Sequence, residues 1–454
     1  MKEQKLSLGT KIGFGVCDLG GNLYFTVIAF WLMNYLTDTV HLSAALAGTV
    51  VMIGRIWDAL TDPAVGVLSD RTRSRWGRRR PYLLFGAVPL ALAMIFMFTV
   101  PSFIEGQMGL FWWALLAYCL LGTAYTVVIV PYAALTPELT TDYQERSSLN
   151  GYRFVFALFG TLIGAVAVLP LRDAFGTVEE GFSAVGIIFG IIMALSALVT
   201  FLAVREPEHG TREIPKGEGI VASYLKVFAC KPYLIITFAY VLHILAITIV
   251  SAIMVYYFKY VYNNEGATTL ALGLLLIVSI PSIPVSVLIS KKIGKKATYA
   301  IGLGIFAVAL IVFYFIGERV GTGGALLIFA FAGIGNGFVF PTPYAMVPDA
   351  IDQDYLDTGI RKEGAFYGTW TLLTKTGQGL ANGIIGWMLG IAGFQADLVQ
   401  NAASLGTIKL LLGPLPALVF ILSIVVLVFY PINEERYNII RSAIEAREAG
   451  TGGA

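Results

Sequence analysis

The chain has 454 residues, of which 57% are hydrophobic and only 13% are charged, and its formal net charge is +2. Soluble domains average about 25% charged residues, so the composition excludes an ordinary soluble protein and indicates a polytopic membrane protein. The three cysteines have no paired spacing, so they indicate neither a disulfide framework nor a metal site. Neither a cofactor nor a nucleic-acid partner is expected.

The apolar segments predict an all-α protein that crosses the membrane many times. A helix needs about 20 apolar residues to span a bilayer. Lys and Arg concentrate in the loops after spans two, six and eight and in both tails, which predicts that both termini are cytoplasmic. We therefore expect a multi-pass protein of the cell inner membrane. Twelve spans are predicted, near residues 10–37, 43–69, 81–101, 109–136, 147–170, 181–203, 233–261, 268–290, 297–316, 324–348, 362–392 and 408–430.

The second span contains the most unusual polar cluster, Arg55, Asp58, Thr61 and Asp62. These residues share one helix face because they are three or four positions apart. Each charge at membrane depth costs about 2.5–3.5 kcal/mol. Two close carboxylates cannot both stay ionised in a dry site, so one takes up a proton or a cation lies between them. The cluster predicts a coupling-ion site; the alternative is an internal ion pair, Arg55 with Asp58, that locks two helices.

Three polar residues in spans one and five are candidates for substrate contact. Asp18 and Asn22 lie one turn apart in span one, and both could hydrogen-bond a hydroxylated substrate. Alternatively, Asp18 pairs with an arginine. Arg153, at the start of span five, is either that partner or an interfacial residue that snorkels toward water.

Spans four, ten and eleven supply the remaining candidates. The Thr126 hydroxyl could complete an oxygen shell at the two aspartates or bond back to its own helix. Lys375 lies deep in span eleven, and it either senses the aspartate cluster or forms a structural salt bridge. Tyr125, Phe340 and Trp370 could line a substrate site, although packing roles are common for aromatic residues in such a chain.

The loop after span two carries six arginines between Arg71 and Arg80. Their first expected role is to fix the membrane topology. A salt bridge from Asp70 to this loop or to Arg146 would also latch a cytoplasmic gate.

The two halves of the chain echo each other. Pro131-Tyr followed by Pro137-Glu138 corresponds to Pro343-Tyr followed by Pro348-Asp349. Two halves in the same orientation are typical of a transporter with a parallel repeat and a substrate site at the repeat interface. The last residues, 445–454, are expected to be disordered. The predicted organisation is a six-helix bundle at 1–204, a cytoplasmic linker at 205–232, a second six-helix bundle at 233–433 and a cytoplasmic tail at 434–454.

The sequence contains no Gly-rich phosphate loop, zinc-protease helix or nucleophile motif. An enzyme is therefore not expected.

Two stretches carry a family resemblance. Gly66-Val-Leu-Ser-Asp70-Arg71 followed by Gly77-Arg-Arg-Arg80 resembles the loop signature of the major facilitator superfamily, interrupted by residues 72–76. Together with the span-two cluster, this pattern is similar to the glycoside-pentoside-hexuronide:cation symporters, which include the melibiose permeases. The resemblance implies a major facilitator fold of two pseudo-symmetric bundles and Na⁺-, H⁺- or Li⁺-driven uptake.

Position by position, the resemblance assigns roles to several residues. Asp58, Asp62 and Thr126 match cation ligands, while Thr61 replaces the asparagine of the melibiose permeases. Tyr125, Arg153 and Lys375 match positions around the sugar and its gate, and Phe340 and Trp370 fall at lining positions. Two positions that contact the sugar in the family depart from its pattern. Ile129 and Ala133 stand where the family has a sugar-binding aspartate and a tryptophan.

The sequence therefore predicts a monomeric symporter that imports a glycoside or related small carbohydrate with Na⁺ or H⁺ by alternating access. The departures at Ile129 and Ala133 leave an alternative open. That alternative is a cation-coupled carrier of an amphipathic lipid or another non-sugar solute.

Overall fold

The computed structural model describes residues 6–140, 142–206, 226–360 and 362–451, and the regular structure of this part of the chain is helical. Two π-helical turns, Tyr35–Thr39 and Tyr257–Val261, continue the first and seventh predicted spans. The α-helices are α1 (Leu8–Phe30), α2 (Leu32–Asn34), α3 (Ala44–Arg71), α4 (Arg80–Met97), α5 (Gly106–Leu139), α6 (Tyr143–Val166), α7 (Val168–Asp173), α8 (Val178–Ala203), α9 (Lys231–Tyr256), α10 (Ala267–Ile293), α11 (Lys295–Val339), α12 (Thr342–Thr358), α13 (Glu363–Ile391), α14 (Ala402–Leu412), α15 (Pro414–Val428) and α16 (Glu434–Thr451).

Ten helical segments of the described chain are long and apolar enough to cross a membrane. One of them, Lys295–Thr358, covers the predicted spans 297–316 and 324–348, and its backbone leaves the helical region at Gly321 (φ 63°) between them. Helix α13 coincides with the predicted span 362–392 but is too polar to be among the ten. The helices thus confirm the all-α membrane fold, while the count of twelve spans stays a prediction.

The chain divides into two compact units. Unit 1 comprises Met1–Ile214 and Asn382–Ser404, and unit 2 comprises Pro215–Ala381 and Leu405–Ala454. In unit 1, α1 packs against α6 and α8, and α3 packs against α5. In unit 2, α10 packs against α11, and α15 packs against α9 and α11. The predicted domain boundaries stay a prediction, and most of the predicted linker 205–232 lies outside the described residues.

Each unit contains the same unusual helix ending. The π-helical turn Tyr35–Thr39 is followed by His41 in the left-handed region (φ 56°), and the turn Tyr257–Val261 is followed by Asn263 in the same region (φ 51°). Non-glycine residues with positive φ make up only a few per cent of residues. Two such endings at matching places therefore support the internal repeat that the Pro-Tyr echo suggests.

The repeat also extends to side-chain contacts. Glu138 at the end of α5 accepts a hydrogen bond from Arg78. It also forms an ion pair with Arg79, with an Nη2–Oε1 distance of 3.2 Å. Asp349 in α12 is paired with Lys295 at the start of α11, with an Nζ–Oδ2 distance of 2.6 Å. In both units, an acidic residue after the Pro-Tyr motif pairs with a basic residue that follows the unit's second span.

The expected disorder of the C-terminal tail is wrong as far as Thr451, because α16 runs to that residue. Ile440 and Ile444 are buried, so this helix has an apolar face to pack. Arg447 donates to the carbonyl oxygens of Tyr355 (3.5 Å) and Leu356 (3.3 Å) in the last turn of α12. The polar, Gly-rich composition of residues 445–454 predicts disorder, but the buried isoleucines just before this segment hold the helix in place. Residues 452–454 lie outside the described residues.

Candidate cation and substrate site

Helix α3 presents a polar face inside an apolar helix. Arg55 and Asp58 are almost completely buried, with exposed fractions of 3% and 1%, whereas Asp62 is half-buried. Pro63 follows inside the same helix. Proline has no backbone N–H, so the helical hydrogen bond to the carbonyl of Ala59 is missing beside the two carboxylates. The face is therefore polar in its backbone as well as in its side chains.

The two aspartates meet at one hydroxyl. Thr126 on α5 is fully buried, and its Oγ1 lies 2.9 Å from Asp58 Oδ1 and 3.0 Å from Asp62 Oδ1. Two roles were predicted for the Thr126 hydroxyl, a contact with the aspartates or a hydrogen bond to its own helix. The structure contains the contact with the aspartates. Helices α3 and α5 thus bring three oxygen-bearing groups together at one point, and this geometry can hold a proton or a monovalent cation.

The Arg55–Asp58 ion pair is also present. The Arg55 Nη1 to Asp58 Oδ2 distance is 3.9 Å, and the Arg55 guanidinium also lies over the Phe25 ring, 5.2 Å from its centroid. A 3.9 Å separation is beyond hydrogen-bonding distance. The pair therefore contributes charge compensation to Asp58, and it coexists with the carboxylate cluster instead of replacing it.

Thr61 is oriented along its own helix. Its hydroxyl donates to the backbone carbonyl of Asp58 at 3.0 Å. Its role as a cation ligand stays a prediction. The described residues contain no group of three or more His, Cys, Asp or Glu that could hold a metal ion.

Three tyrosines surround this cluster, and the sequence predicted a site role for only one of them, Tyr125. Tyr24 on α1 stacks on Tyr125, with ring centroids 4.0 Å apart, and both Tyr24 and Tyr118 are fully buried. Tyr118 lies against α3 because position 54 is glycine: a Cβ there would be 2.1 Å from the Tyr118 ring. Tyr118 and Thr126 are eight residues apart on α5, a spacing that places both on one helix face. This spacing is the sequence feature that could have linked Tyr118 to the cluster.

Gly54→Ala is expected to destabilise the protein by about 1–3 kcal/mol, because the added methyl group overpacks the contact with Tyr118. Thermal unfolding of the purified protein in detergent measures this effect. Gly66→Ala on the same helix is the matched control, since its Cβ would meet only Val130, at 3.8 Å. Equal melting temperatures for the two variants would contradict the close α3–α5 packing at Gly54.

Asp18 pairs with Arg153. This ion pair was one of the alternatives predicted for each of the two residues. The Arg153 Nε to Asp18 Oδ2 distance is 2.6 Å, and Tyr132 also donates to Asp18 Oδ2 at 2.6 Å. Arg153 further donates to Thr136 Oγ1 at 3.0 Å. Asn22 donates to the Asp18 carbonyl of its own helix at 2.8 Å. The substrate roles of these residues stay predictions, and Tyr132, which the Pro-Tyr echo could have revealed, belongs to the same network.

Unit 2 contains a cluster of aromatic side chains that includes the predicted site residue Trp370. Trp370 is buried and stacks on Tyr240, with centroids 4.4 Å apart, and the Tyr240 and Tyr344 hydroxyls are 3.2 Å apart. Tyr344 is the counterpart of Tyr132 in the Pro-Tyr echo. Phe340 is 51% exposed, and Lys375 is half-buried on α13. The predicted pairing of Lys375 with the aspartate cluster stays a prediction.

The predicted gate residues divide into paired and exposed side chains. Asp70 accepts a hydrogen bond from Arg79 Nη2 at 2.9 Å, so its partner lies in the basic loop. Arg146 donates instead to the carbonyl oxygen of Thr140 at 3.1 Å. Arg71 is exposed. The loop thus carries an ion-pair network at the end of α3, and its gating role stays a prediction.

This constellation, with two carboxylates and a hydroxyl at membrane depth in a repeated helical fold, agrees with comparisons to known proteins. The family model for MFS/sugar transport proteins matches residues 13–434. The chain belongs to this family. Membership makes it a membrane transporter and not an enzyme.

Two relatives and one solved structure illustrate the extent of the similarity. The chain is 28% identical to the uncharacterized symporter sll1374 of Synechocystis sp., over 99% of this chain and 98% of that protein. It is 28% identical to the isoprimeverose transporter of Lactiplantibacillus pentosus, over 93% of this chain and 88% of that protein. The crystal structure of the nucleoside transporter NupG superposes with a TM-score of 0.68 at 13% identity, covering 92% of this chain and 99% of that chain, which shows the shared fold.

Proposed function

We propose that this family member is a symporter that imports a glycoside or related small carbohydrate together with a monovalent cation, Na⁺ or H⁺. Transport follows alternating access in the cell inner membrane, with a monomeric chain and both termini in the cytoplasm. The observation that carries the proposal is the convergence of Asp58, Asp62 and Thr126 at membrane depth. A transporter that needs no coupling ion has no reason to bury this cluster, given its desolvation cost.

The sugar half of the proposal is supported by the similarity to an isoprimeverose transporter and by the polar network at Asp18 and Arg153. A hydroxylated substrate is recognised by fixed hydrogen-bonding groups, and a site with unpaired polar groups rejects analogues that lack the hydroxyls. The proposed substrate contacts are those predicted from the sequence, namely Asp18, Asn22, Tyr125, Arg153, Phe340, Trp370 and Lys375. Asp70, Arg71, Arg146 and Arg55 are the proposed gate residues.

Uptake of labelled methyl glycosides, pentosides and uronides into right-side-out membrane vesicles tests the proposal. We expect at least one sugar to accumulate above its external concentration when a cation gradient is imposed, and not after the gradient is collapsed. Vesicles without the protein are the control. If no sugar accumulates but labelled lysolipids do, the amphipath carrier is the better description of this family member.

A further inference from the structure

Two tyrosines of unit 2 repeat a contact of unit 1 with different chemistry. Tyr240 lies 17 residues before the start of a π-helical turn, as Asp18 does, and its hydroxyl is 3.2 Å from that of Tyr344. Tyr344 follows a proline, as Tyr132 does in the Pro-Tyr echo, and the Tyr132 hydroxyl is 2.6 Å from Asp18 Oδ2. The two pairs therefore occupy equivalent places in the internal repeat.

The exchange of a carboxylate for a phenol changes which hydroxyl hydrogen is used. An ionised carboxylate only accepts, so Tyr132 donates its hydrogen to Asp18. A phenol can donate as well as accept. Tyr240 is 7% exposed, and in the part of the chain that the structure describes its hydroxyl has the Tyr344 oxygen as its acceptor. Because buried polar groups are almost always hydrogen-bonded, Tyr240 donates to Tyr344, and the Tyr344 hydrogen is left for another acceptor.

Tyr344 is open where its counterpart is closed. Tyr132 is fully buried, whereas Tyr344 is 53% exposed. Phe340, four residues earlier, is 51% exposed. The counterpart of Tyr344 in unit 1 reaches the proposed sugar contact Asp18, so the repeat relates this open side of α12 to a substrate-facing side and not to a lipid-facing one.

Further ring contacts hold the two tyrosines in place. Trp370 stacks on Tyr240, with centroids 4.4 Å apart and ring planes inclined by 12°. Tyr344 meets both rings edge to face, with its centroid 6.3 Å from that of Trp370 and 5.9 Å from that of Tyr240. His243 meets Tyr240 edge to face at 5.5 Å, and its Nδ1 is 3.1 Å from the Tyr299 hydroxyl. Stacked and edge-to-face arrangements are favourable for aromatic rings, so Tyr344 is oriented before a substrate arrives.

We propose that Tyr344 is a specificity-determining contact for the sugar in the proposed symporter. Its hydroxyl donates to a hydroxyl oxygen of the sugar, and its exposed ring packs against the C–H face of the sugar ring. Tyr240 is a positioning residue, because it is buried and acts on the substrate through the Tyr344 hydroxyl. Small-molecule sites combine aromatic walls with a few placed polar groups, and Tyr344 supplies one of each. This inference rests on the proposed function, because it names a residue that selects the sugar of the same transporter.

Binding of a sugar and its deoxy analogues to the full-length protein in detergent tests the hydrogen bond. The probe is the labelled methyl glycoside, pentoside or uronide that accumulates in vesicles. Tyr344→Phe is expected to weaken its binding about three- to tenfold, the effect of one net hydrogen bond. One deoxy analogue is expected to bind the native protein and the variant equally, because the oxygen that Tyr344 contacts is already missing. Equal losses for the parent sugar and for every deoxy analogue would overturn the assignment.

A second variant separates the ring from its hydroxyl. Tyr344→Leu also removes the aromatic face, so it is expected to weaken sugar binding more than Tyr344→Phe does, by about tenfold or more. Tyr314→Leu on α11 is the matched control, because Tyr314 is 42% exposed and its ring contacts Phe315. This control is expected to keep the native affinity. Native affinity in Tyr344→Leu would contradict the proposal.

Tyr240→Phe tests the positioning role. The variant keeps the ring that stacks on Trp370 but no longer donates to Tyr344, so sugar binding is expected to weaken about two- to threefold. The double variant Tyr240→Phe with Tyr344→Phe is expected to bind sugar no more weakly than Tyr344→Phe alone, since Tyr240 acts through Tyr344. Additive losses in the double variant would show that Tyr240 does not act through Tyr344.

Gradient-driven uptake in proteoliposomes separates this inference from the proposed function. Tyr344→Phe is expected to raise the KM for the sugar by the factor that its binding loses, while the accumulation ratio at equilibrium stays native, because the coupling residues are intact. An unchanged KM in both Tyr344 variants overturns the inference and leaves the symporter intact. If the native protein accumulates no sugar under any cation gradient, the proposed function fails and the inference fails with it.

Discussion

Asp58→Asn is expected to abolish concentrative sugar uptake and to destabilise the protein. The substitution removes the carboxylate that faces Arg55, and Arg55 is only 3% exposed. Breaking a buried ion pair by removing one partner costs about 3–5 kcal/mol, because the remaining charge stays buried without compensation. The cluster also loses a negative charge that attracts the coupling ion. Gradient-driven uptake and thermal unfolding of the purified variant measure the two effects.

The double variant Arg55→Gln with Asp58→Asn is the control for this prediction. It removes both charges, so most of the lost stability is expected to return while accumulation stays absent. Two neighbours that interact show a coupling energy in such a double-mutant cycle. Purely additive effects of the two substitutions would show that Arg55 and Asp58 do not compensate each other.

Arg153→Gln is expected to weaken sugar binding at least tenfold and to destabilise unit 1 by about 2–5 kcal/mol. Asp18 is only 8% exposed, and without Arg153 its charge retains the hydrogen bond from Tyr132 alone among the side-chain contacts described above. Removing one member of a buried, hydrogen-bonded charge pair carries a cost of this size. The concentration dependence of sugar uptake and the melting temperature are the measurements.

Two further variants complete this series: the single variant Tyr132→Phe and the double variant Asp18→Asn with Arg153→Gln. Tyr132→Phe removes a hydrogen bond to a charged group and is expected to cost about 1.5–3 kcal/mol while Arg153 still compensates Asp18. The double variant is expected to recover stability but not sugar affinity. A double variant as unstable as the sum of its parts would mean that the ion pair has no role in holding α1 against α6.

Much of the fold could be predicted because apolar length is a local property of the sequence. Helix α13 was expected from its length and position although Glu363 and Lys375 make it more polar than the other spans. A loop was predicted between the spans that end at residue 316 and begin at residue 324. The structure places the break at Gly321, whose φ is 63°. The C-terminal tail was misjudged because α16 is stabilised by α12, through Arg447 and the end of that helix, and such a contact is not visible in local composition.

The site was predicted in part, because polar residues at membrane depth are conspicuous in a sequence. Thr126 is more than 60 residues from Asp58 and Asp62 in the chain, and the packing of α3 on α5 brings its hydroxyl to both carboxylates. The pairing of Asp18 with Arg153 was one of several alternatives, since the sequence does not contain the 2.6 Å distance that selects it. Tyrosines such as Tyr24 and Tyr132 were overlooked because buried tyrosines resemble ordinary packing residues in composition.

The most direct test of coupled transport measures sugar and cation movement in the same proteoliposomes. Sugar is added outside weakly buffered vesicles without any imposed ion gradient, and a pH electrode and labelled Na⁺ record the two cations. We expect sugar entry to be accompanied by alkalinisation of the external medium or by uptake of labelled Na⁺, and we expect this cation movement to be absent for Asp58→Asn. Entry of sugar without movement of either cation would contradict the symporter that Asp58, Asp62 and Thr126 are proposed to form.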